Sequence, residues 1–367
     1  MNVSDFDYEL PSSCIAQRPL PERDGSRMLL VDRRTGAWND RLFGEFPNLL
    51  RGDEVVVLNN AKVIPARLFG RRGGIHARAP GRHNPAPGEF LKRQIEVLLV
   101  RRIDVDCWEA LVRPGRKIPT GECIVFGQGE LVARVEGRAA FGLRTVRFEP
   151  PNAIEKTLES LGHIPLPPYI KRHDEPADRE RYQTVYAHAG TAVAAPTAGL
   201  HFTPQILKRI RARGAEIIEI TLDVGLGTFE PVRTENLEEH KIHAESYEIG
   251  ESAAAALNHA RRERRPILAV GTTVVRALED VARKSPAKSG GEQFQMEPGL
   301  RTADIFLYPG KPFRVVNQLL TNFHLPRSTL LAMVAAFAGR ENILAAYRHA
   351  VEAGYRFYSY GDCMLIR

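Results

Sequence analysis

Between Ile95 and Glu149 the chain carries five short apolar or alternating runs and no helical period, and this block limits the fold more than any other feature. The runs are Ile95–Val100, Cys107–Val112, Cys123–Phe126, Leu131–Val135 and Leu143–Phe148. Pro114, Gly115, Gly121, Gly127, Gly129 and Gly137 separate them. Short strands at this spacing, with turn residues between them, predict a small β-barrel or sandwich.

On both sides the pattern changes to α/β. Glu54–Leu58 is a buried-type strand ending at the Asn59-Asn60 turn. Thr203-Pro204 opens a helix as N-cap plus first-turn proline, with Ile206, Leu207 and Ile210 as its apolar face and Gly214 as its stop. A strand over Ile217–Val224 follows, then a strand over Pro266–Val270, a Gly271-Thr272-Thr273 turn and a helix over Val274–Ala282. Strands alternating with helices predict a largely parallel sheet covered on both faces. The expected fold class is therefore α/β: a largely parallel-sheet domain, 1–68 and 150–367, with an inserted small all-β barrel domain, 69–149. Arg71–Gln94, rich in glycine, proline and arginine, and Lys284–Pro298, rich in serine, glycine and glutamate, read as surface excursions.

Lysine plus arginine exceeds aspartate plus glutamate, 51 against 44, for a net charge of +7. Such an excess favours polyanions, although many mildly basic proteins never touch nucleic acid. Asp5, Asp7, Glu9, Glu22 and Asp24 near the start argue against a signal peptide. No apolar run reaches the ~18–20 residues that span a bilayer; the longest, Leu330–Ala338, suits a buried helix. A cytoplasmic, monomeric protein without a membrane role is expected. Cys14, Cys107, Cys123 and Cys363 form no CxxC pair, which suits a reducing compartment and argues against a disulfide framework or a thiolate zinc site. His240, His243 and Glu245 match no standard zinc spacing, so no metal is expected.

Five segments hold residues suited to chemistry. Ala194–Pro204 sets small residues, Gly199 and His201 ahead of a capped helix, where free amides hold an anion or polar ligand. His201 is either a proton donor or acceptor near neutral pH or a histidine that caps the turn. Asp223–Pro231 follows a strand; Gly225 and Gly227 lack the third glycine of a dinucleotide fingerprint, and Pro231 breaks the helix that fingerprint needs. What remains is a loop where backbone approaches a ligand, with Asp223 and Glu230 either serving that ligand or solvated in a turn. Gly271-Thr272-Thr273 is a second anion-ready helix start; Arg276 and Glu279 beyond it are either a surface pair or lining residues. Thr321–Ser328 precedes the all-round apolar helix Thr329–Ala338, so His324 stands at the edge of a core, as a site residue or a turn histidine. Tyr355–Asp362 interleaves aromatics with Arg356, as base-stacking platforms do, while a closing strand with Tyr355, Phe357 and Ser359 inward fits slightly better. Asp362 is a candidate general base. The basic residues of Lys208–Arg213 and of Arg261–Arg265 read as solvated faces first and phosphate contacts second.

Taken together these stretches resemble one family. Asp5-Phe6-Asp7-Tyr8, Ala16-Gln17, Arg23-Asp24, Asn59-Asn60 with Pro65-Ala66-Arg67, Ile164–Ile170, Tyr182–Ala187, Ala195–Phe202, Gly225–Phe229, Val270–Thr273, Thr321–Pro326 and Tyr358–Asp362 are similar to the S-adenosylmethionine:tRNA ribosyltransferase-isomerases of queuosine synthesis. The similarity spans nearly the whole chain apart from the two excursions. It implies an α/β domain with an inserted barrel, and a reaction at the tRNA wobble position. There S-adenosylmethionine, as co-substrate, donates its ribosyl group to 7-aminomethyl-7-deazaguanine, giving the epoxyqueuosine base and releasing adenine and methionine. On this resemblance His201 is the expected acid or base, with His324, Asp362 and Glu230 as further catalytic candidates. Thr197, Gly199, Gly225, Gly227, Thr228, Thr272 and Thr273 are expected to cradle S-adenosylmethionine, and Arg172, Arg276, Tyr169 and Tyr360 to hold RNA. The family often has histidine where this chain has Asp223, so no histidine role carries over there. Two rival readings stand beside it. A phosphoribosyl or base-exchange transferase would use Gly271-Thr272-Thr273 as a phosphate loop, but the acidic run before such a loop is missing. An RNA-binding protein using its barrel would leave the loops of the α/β part without a task.

Overall fold

The computed structural model describes residues 1–73, 94–115, 118–225, 234–240, 242, 244–285 and 294–367. Gly227, Thr228, Glu230 and His243, with most of the Arg71–Gln94 stretch, lie outside the described residues. Along the chain, β1 (Arg27–Val31) and β2 (Trp38–Leu42) are followed by β3 (Val55–Asn59) and the short β4 (Ala61–Val63). Six strands come next: β5 (Arg67–Arg72), β6 (Gln94–Arg102), β7 (Cys107–Arg113), β8 (Cys123–Phe126), β9 (Leu131–Arg138) and β10 (Arg144–Glu149). The rest are β11 (Ala189–Ala192), β12 (Glu216–Leu222), β13 (Glu245–Ile249), β14 (Ile267–Val270), β15 (Gly299–Ala303), β16 (Gln318–Asn322) and β17 (Cys363–Ile366).

Nine of these form one sheet in the order β15-β13-β12-β3-β14-β16-β17-β1-β2. Its centre, β12-β3-β14-β16, is parallel throughout. All five residues of β3 are buried, as a strand covered on both faces requires. Outside the centre the expectation of a largely parallel sheet fails. The pairs β12–β13, β13–β15, β16–β17 and β1–β2 are antiparallel, and only β17–β1 adds a parallel pair, so the sheet is mixed. For β1–β2 the cause is the connection: residues 32–37 make a turn, whereas a parallel neighbour needs a crossover of a dozen residues or more. Asp32 closes that turn by accepting the Arg34 and Thr35 amides at 2.9 Å, and Gly36 supplies the positive φ of 73°.

The local signals of the flanks are realised. Thr203 accepts the Ile206 amide at 3.2 Å and caps the helix Pro204–Ala212, and Gly214, at φ 96°, ends it. The helices Thr272–Lys284 and Thr329–Ala338 are buried along most of their length. Among the described residues no single helix is long and apolar enough to cross a membrane. The expected closing strand over Tyr355–Ser359 is instead a loop. Tyr355 and Phe357 are buried there, and so are Tyr358 and Tyr360, because the chain turns at Tyr358 (φ 71°) rather than alternating. The Lys284–Pro298 stretch is not all surface either. Phe294 and Met296 are buried, and Asn258 exchanges two 2.8 Å bonds with the Met296 backbone.

The second unit is a closed antiparallel barrel, β10-β7-β6-β5-β8-β9. Closure removes the exposed edges that an open sheet of short strands would present. The compact unit around it takes in Val63–Leu166 and Asp174–Arg179, wider than 69–149. Strand β5 begins at Arg67, and the helix Ile154–Leu161 buries Ile154 and Leu158. Arg67 and His163 then pair as an antiparallel bridge. The larger unit comprises Met1–Lys62, Pro167–His173 and Glu180–Arg367.

Candidate active site

In the larger unit, the carboxyl ends of the parallel strands open onto one cleft, where open α/β sheets place their ligands. Val224 follows β12, Gly271–Thr273 follow β14, and Thr321–Leu325 lead out of β16. Strand β17 runs antiparallel to β16 with Cys363 opposite Asn322, so the residues just before it, Tyr358 and Ser359, reach the same end. Ala195–Ala198 and Tyr169 complete much of the lining, around a space of about 660 Å³ counting its open mouth.

The cleft sets a few polar groups in a mostly apolar lining. Thr272 begins a thirteen-residue helix whose first amides have no intrahelical acceptor. Gly271 ahead of it has φ 93° and ψ 152°, a conformation essentially reserved for glycine. Two buried lining atoms, Thr273 Oγ1 and the Tyr358 hydroxyl, have no hydrogen-bond partner among the described residues, and the Asn322 side chain faces both this cleft and the His201 ring. Buried polar atoms are rarely left so, and a bound ligand satisfies them. The Asn322 amide donates to the Tyr358 carbonyl at 2.8 Å and holds that residue in its strained conformation. Tyr358 stacks on Tyr169, with centroids 4.5 Å apart, and the Tyr169 hydroxyl bonds Ser359 Oγ at 2.7 Å.

His324 lies in this lining. Its Nε2 pairs with Thr321 Oγ1 at 2.9 Å, its amide donates to the Tyr347 hydroxyl at 3.1 Å, and its carbonyl accepts from Tyr8. Burial pushes its pKa down to about 3, so the ring is neutral at pH 7. His201 does not line the cleft. It ends the turn Thr197–His201 in a smaller neighbouring pocket with Arg23, Arg181 and Tyr360, and Ser359 borders both pockets. Its Nδ1 bonds Ser26 Oγ at 2.9 Å, and its ring lies against Phe43. Burial pushes its pKa down to about 4, with Asn322 working the other way, so about one ring in a thousand is protonated at pH 7. At pH 7 the ring is therefore neutral, which, of the two roles expected for it, is the form of a proton acceptor.

Other expectations divide. Thr197, Thr272, Thr273 and Tyr169 line the cleft. Gly199 does not; a Cβ there would collide with the Tyr186 hydroxyl, so its small size serves packing. Gly225 sits just past the Val224 lining residue, its amide 3.4 Å from Glu245 Oε1. Asp362 spends both carboxylate oxygens on backbone, accepting the Arg27 amide at 2.9 Å and the Arg356 amide at 2.8 Å. Burial raises its pKa, but its geometry is that of a loop clamp. Arg276 cannot hold RNA, because it is buried in an ion pair with Glu245 and donates to the Ala303 carbonyl at 3.1 Å. Nor is Glu279 its surface partner; Glu279 is fully buried and accepts the amides of Arg314, Val315 and Val316 at 2.8–3.0 Å. Arg172 is half-buried and donates to the Gln17 and His173 carbonyls, both at 2.9 Å. Asp223 accepts the Thr191 amide at 2.8 Å. No cluster that would hold a metal occurs among the described residues. Sequence reasoning overlooked Asn322 and Tyr358. The signal for Asn322 was present, since an asparagine at the end of a strand whose last four residues are buried must satisfy its amide there.

A family model described as queuosine biosynthesis protein matches residues 3–366. The chain is 53% identical over 368 residues to the S-adenosylmethionine:tRNA ribosyltransferase-isomerase of Solibacter usitatus. It is 50% identical over 367 residues to that of Moorella thermoacetica, and both alignments cover 100% of each chain. A crystal structure of S-adenosylmethionine tRNA ribosyltransferase from Thermotoga maritima is 34% identical, with a TM-score of 0.53, covering 99% of this chain and 100% of that one.

Proposed function

Because the chain belongs to the queuosine biosynthesis family, alongside S-adenosylmethionine:tRNA ribosyltransferase-isomerases, we propose that it carries out that transfer in the cytoplasm, as a monomer. S-adenosylmethionine is the co-substrate and a tRNA with 7-aminomethyl-7-deazaguanine at its wobble position is the acceptor. The ribosyl carbons pass to the aminomethyl nitrogen and rearrange to the epoxyqueuosine ring, while adenine and methionine leave.

One observation carries the reading: strand-end segments from remote parts of the chain share one cleft, in which Thr273 Oγ1 and the Tyr358 hydroxyl are buried with no partner among the described residues. The methionyl carboxylate sits at the start of the helix Thr272–Lys284, where free amides and the helix dipole favour an anion. Thr197, Thr273 Oγ1, Asn322 Oδ1 and the Tyr358 hydroxyl take the ribose and adenine polar atoms. The Tyr169–Tyr358 stack and Phe323 give adenine and the sulfonium an aromatic wall. His324, neutral at pH 7, is a hydrogen-bond partner for the substrate rather than an acid. The largely apolar lining disfavours the ammonium form of the attacking amine, which must be neutral to attack. His201 acts from the neighbouring pocket, where Arg23 and Tyr360 meet the wobble nucleotide and Arg172 orders the adjacent loop. Gly225, Gly227, Thr228 and Glu230 keep their sequence-based assignment to the substrate loop.

The test is incubation of purified protein with S-adenosylmethionine and tRNA bearing 7-aminomethyl-7-deazaguanine. Free adenine and methionine should appear in equal amounts with the modified nucleoside. No adenine with this pair, but turnover of a phosphorylated ribose donor with Mg²⁺, would replace the reading with the phosphoribosyltransferase one.

A further inference from the structure

The opposite end of the same sheet carries a second concave site, and its residues are not used above. At the amino ends of β14 and β16 and the carboxyl end of β17, Arg51, Arg261, Arg264, Arg265, Arg314 and Arg367 line a trough of about 910 Å³ counting its open mouth. Asp53 pairs with Arg51 at 3.1 Å and Glu216 with Arg265 at 2.8 Å. Arg261 donates to the Phe294 carbonyl, and Arg314 and Arg367 donate to the Ala282 and Leu49 carbonyls, which orients the guanidiniums toward the trough. Arg264 is exposed, and among the described residues its guanidinium has no ion pair or hydrogen bond. Several guanidiniums converging on one concavity match the bidentate geometry and charge of phosphate oxygens.

The backbone gives independent support. The helix Glu251–Arg262 ends with the Arg264 amide bonded to the Arg261 carbonyl at 3.1 Å and the Arg265 amide to Ala260 at 2.9 Å. This is the helix stop that calls for a left-handed residue, usually glycine. The helix Arg340–Glu352 ends in the same way, with Tyr355 bonded back to Ala350 and Gly354 at φ 70°. At the equivalent place in the first helix stands Arg264, at φ 57°. An arginine held in a conformation that glycine adopts without strain indicates that the side chain is wanted in the trough.

We infer that this arginine trough is a binding site for phosphate groups, separate from the reaction cleft. The phosphates come either from a free oligophosphate or from the RNA backbone, and only the second source rests on the function proposed above. The decisive variant is Arg264→Gly, because it removes the guanidinium while relieving the backbone; Arg314→Gln is the companion. Binding of inorganic tripolyphosphate is measured by calorimetry at low salt, together with melting temperature and the KM for tRNA over a salt series. Arg264→Gly should melt at or above the parent temperature and leave kcat unchanged. If the source is free phosphate, tripolyphosphate binds the parent and weakens about tenfold in each variant while the KM for tRNA stays constant. If it is RNA, that KM rises about tenfold and its logarithmic salt slope falls by about one. Parent and variants that match in both measurements overturn the inference, as does an Arg264→Gly protein that melts lower with both affinities intact. A parent that releases no adenine defeats the proposed function yet leaves the tripolyphosphate measurement readable.

Discussion

Acidification from pH 7.5 to pH 5 should destabilise the larger unit through His201 and His324 in particular. Both rings are buried and held neutral, with folded pKa values of about 4 and about 3 against roughly 6.5 in the unfolded chain. A group whose folded pKa is depressed in this way takes up a proton only on unfolding. Its penalty is absent above pH 6.5, grows as pH falls below it, and levels off beneath the folded value. At pH 5 each ring contributes about 2 kcal/mol of lost stability, and the two together about 4 kcal/mol, a large part of a typical domain's reserve. Urea unfolding followed by circular dichroism at both pH values, on the parent and on His324→Gln and His201→Asn, isolates these contributions because all other groups cancel in the comparison. Each variant should lose about 2 kcal/mol less than the parent over the interval, and NMR should show both rings neutral at pH 5. Variants with the full parental pH dependence, or rings that titrate between pH 6 and 7, would refute the reasoning and restore His201 as a neutral-pH acid.

Further outcomes follow from single contacts. Gly271→Ala, at φ 93°, should cost about 1–3 kcal/mol in melting experiments and raise the KM for S-adenosylmethionine while leaving that for tRNA unchanged. Asn322→Ala frees the Tyr358 carbonyl, and adenine release should fall by about a hundredfold in kcat/KM through misplacement of the Tyr169–Tyr358 wall; retention of the parental rate would remove Asn322 from the site. Arg276→Gln removes the buried cation that faces Glu245 and should destabilise by about 3–5 kcal/mol, with tRNA affinity of the folded enzyme intact; the reverse pattern would return Arg276 to RNA contact. Glu279→Gln weakens the clamp on residues 314–316 and should cost about 1–3 kcal/mol in urea unfolding, without an effect on turnover.

What could be read from the sequence was local. The cap at Thr203, the stop at Gly214 and the buried run at Glu54–Leu58 are signals confined to one element; the helix formed at its signals and the strand, Val55–Asn59, within one residue of its own. The barrel runs were legible by the same period-two logic, except β5. Its sequence Arg67-Leu68-Phe69-Gly70-Arg71-Arg72 has too little apolar pattern, and closure of the barrel rather than propensity makes it a strand. Strand direction outside the parallel centre was not legible, because pairing partners such as β16 and β17 are chosen by tertiary contacts. The candidate site shows the same division. The Gly271, Thr197 and Thr321–His324 stretches announced a ligand site separately, and they meet in one cleft. Arg276 and Glu279 look like a surface pair at helical spacing, and only the fold shows that each is buried with a different partner. The placement of His201 was not legible: its motif borders the cleft while its ring lines the adjoining pocket.

The pairing of β1 with β17 bears on how the protein comes into being. Arg27 donates its amide to Asp362 across 335 positions of sequence, and the hairpin made first finds its neighbour in the sheet only when the last strand arrives. At ribosomal rates of 5–20 residues per second the hairpin waits roughly 20–70 s, its inner edge unpaired. During that interval the nascent chain presents a β edge open to chaperones or to illegitimate pairing. Without Cys363–Ile366 both β1 and β16 lose a neighbour in the sheet, and the Tyr358–Ser359 segment just before that strand loses its anchor.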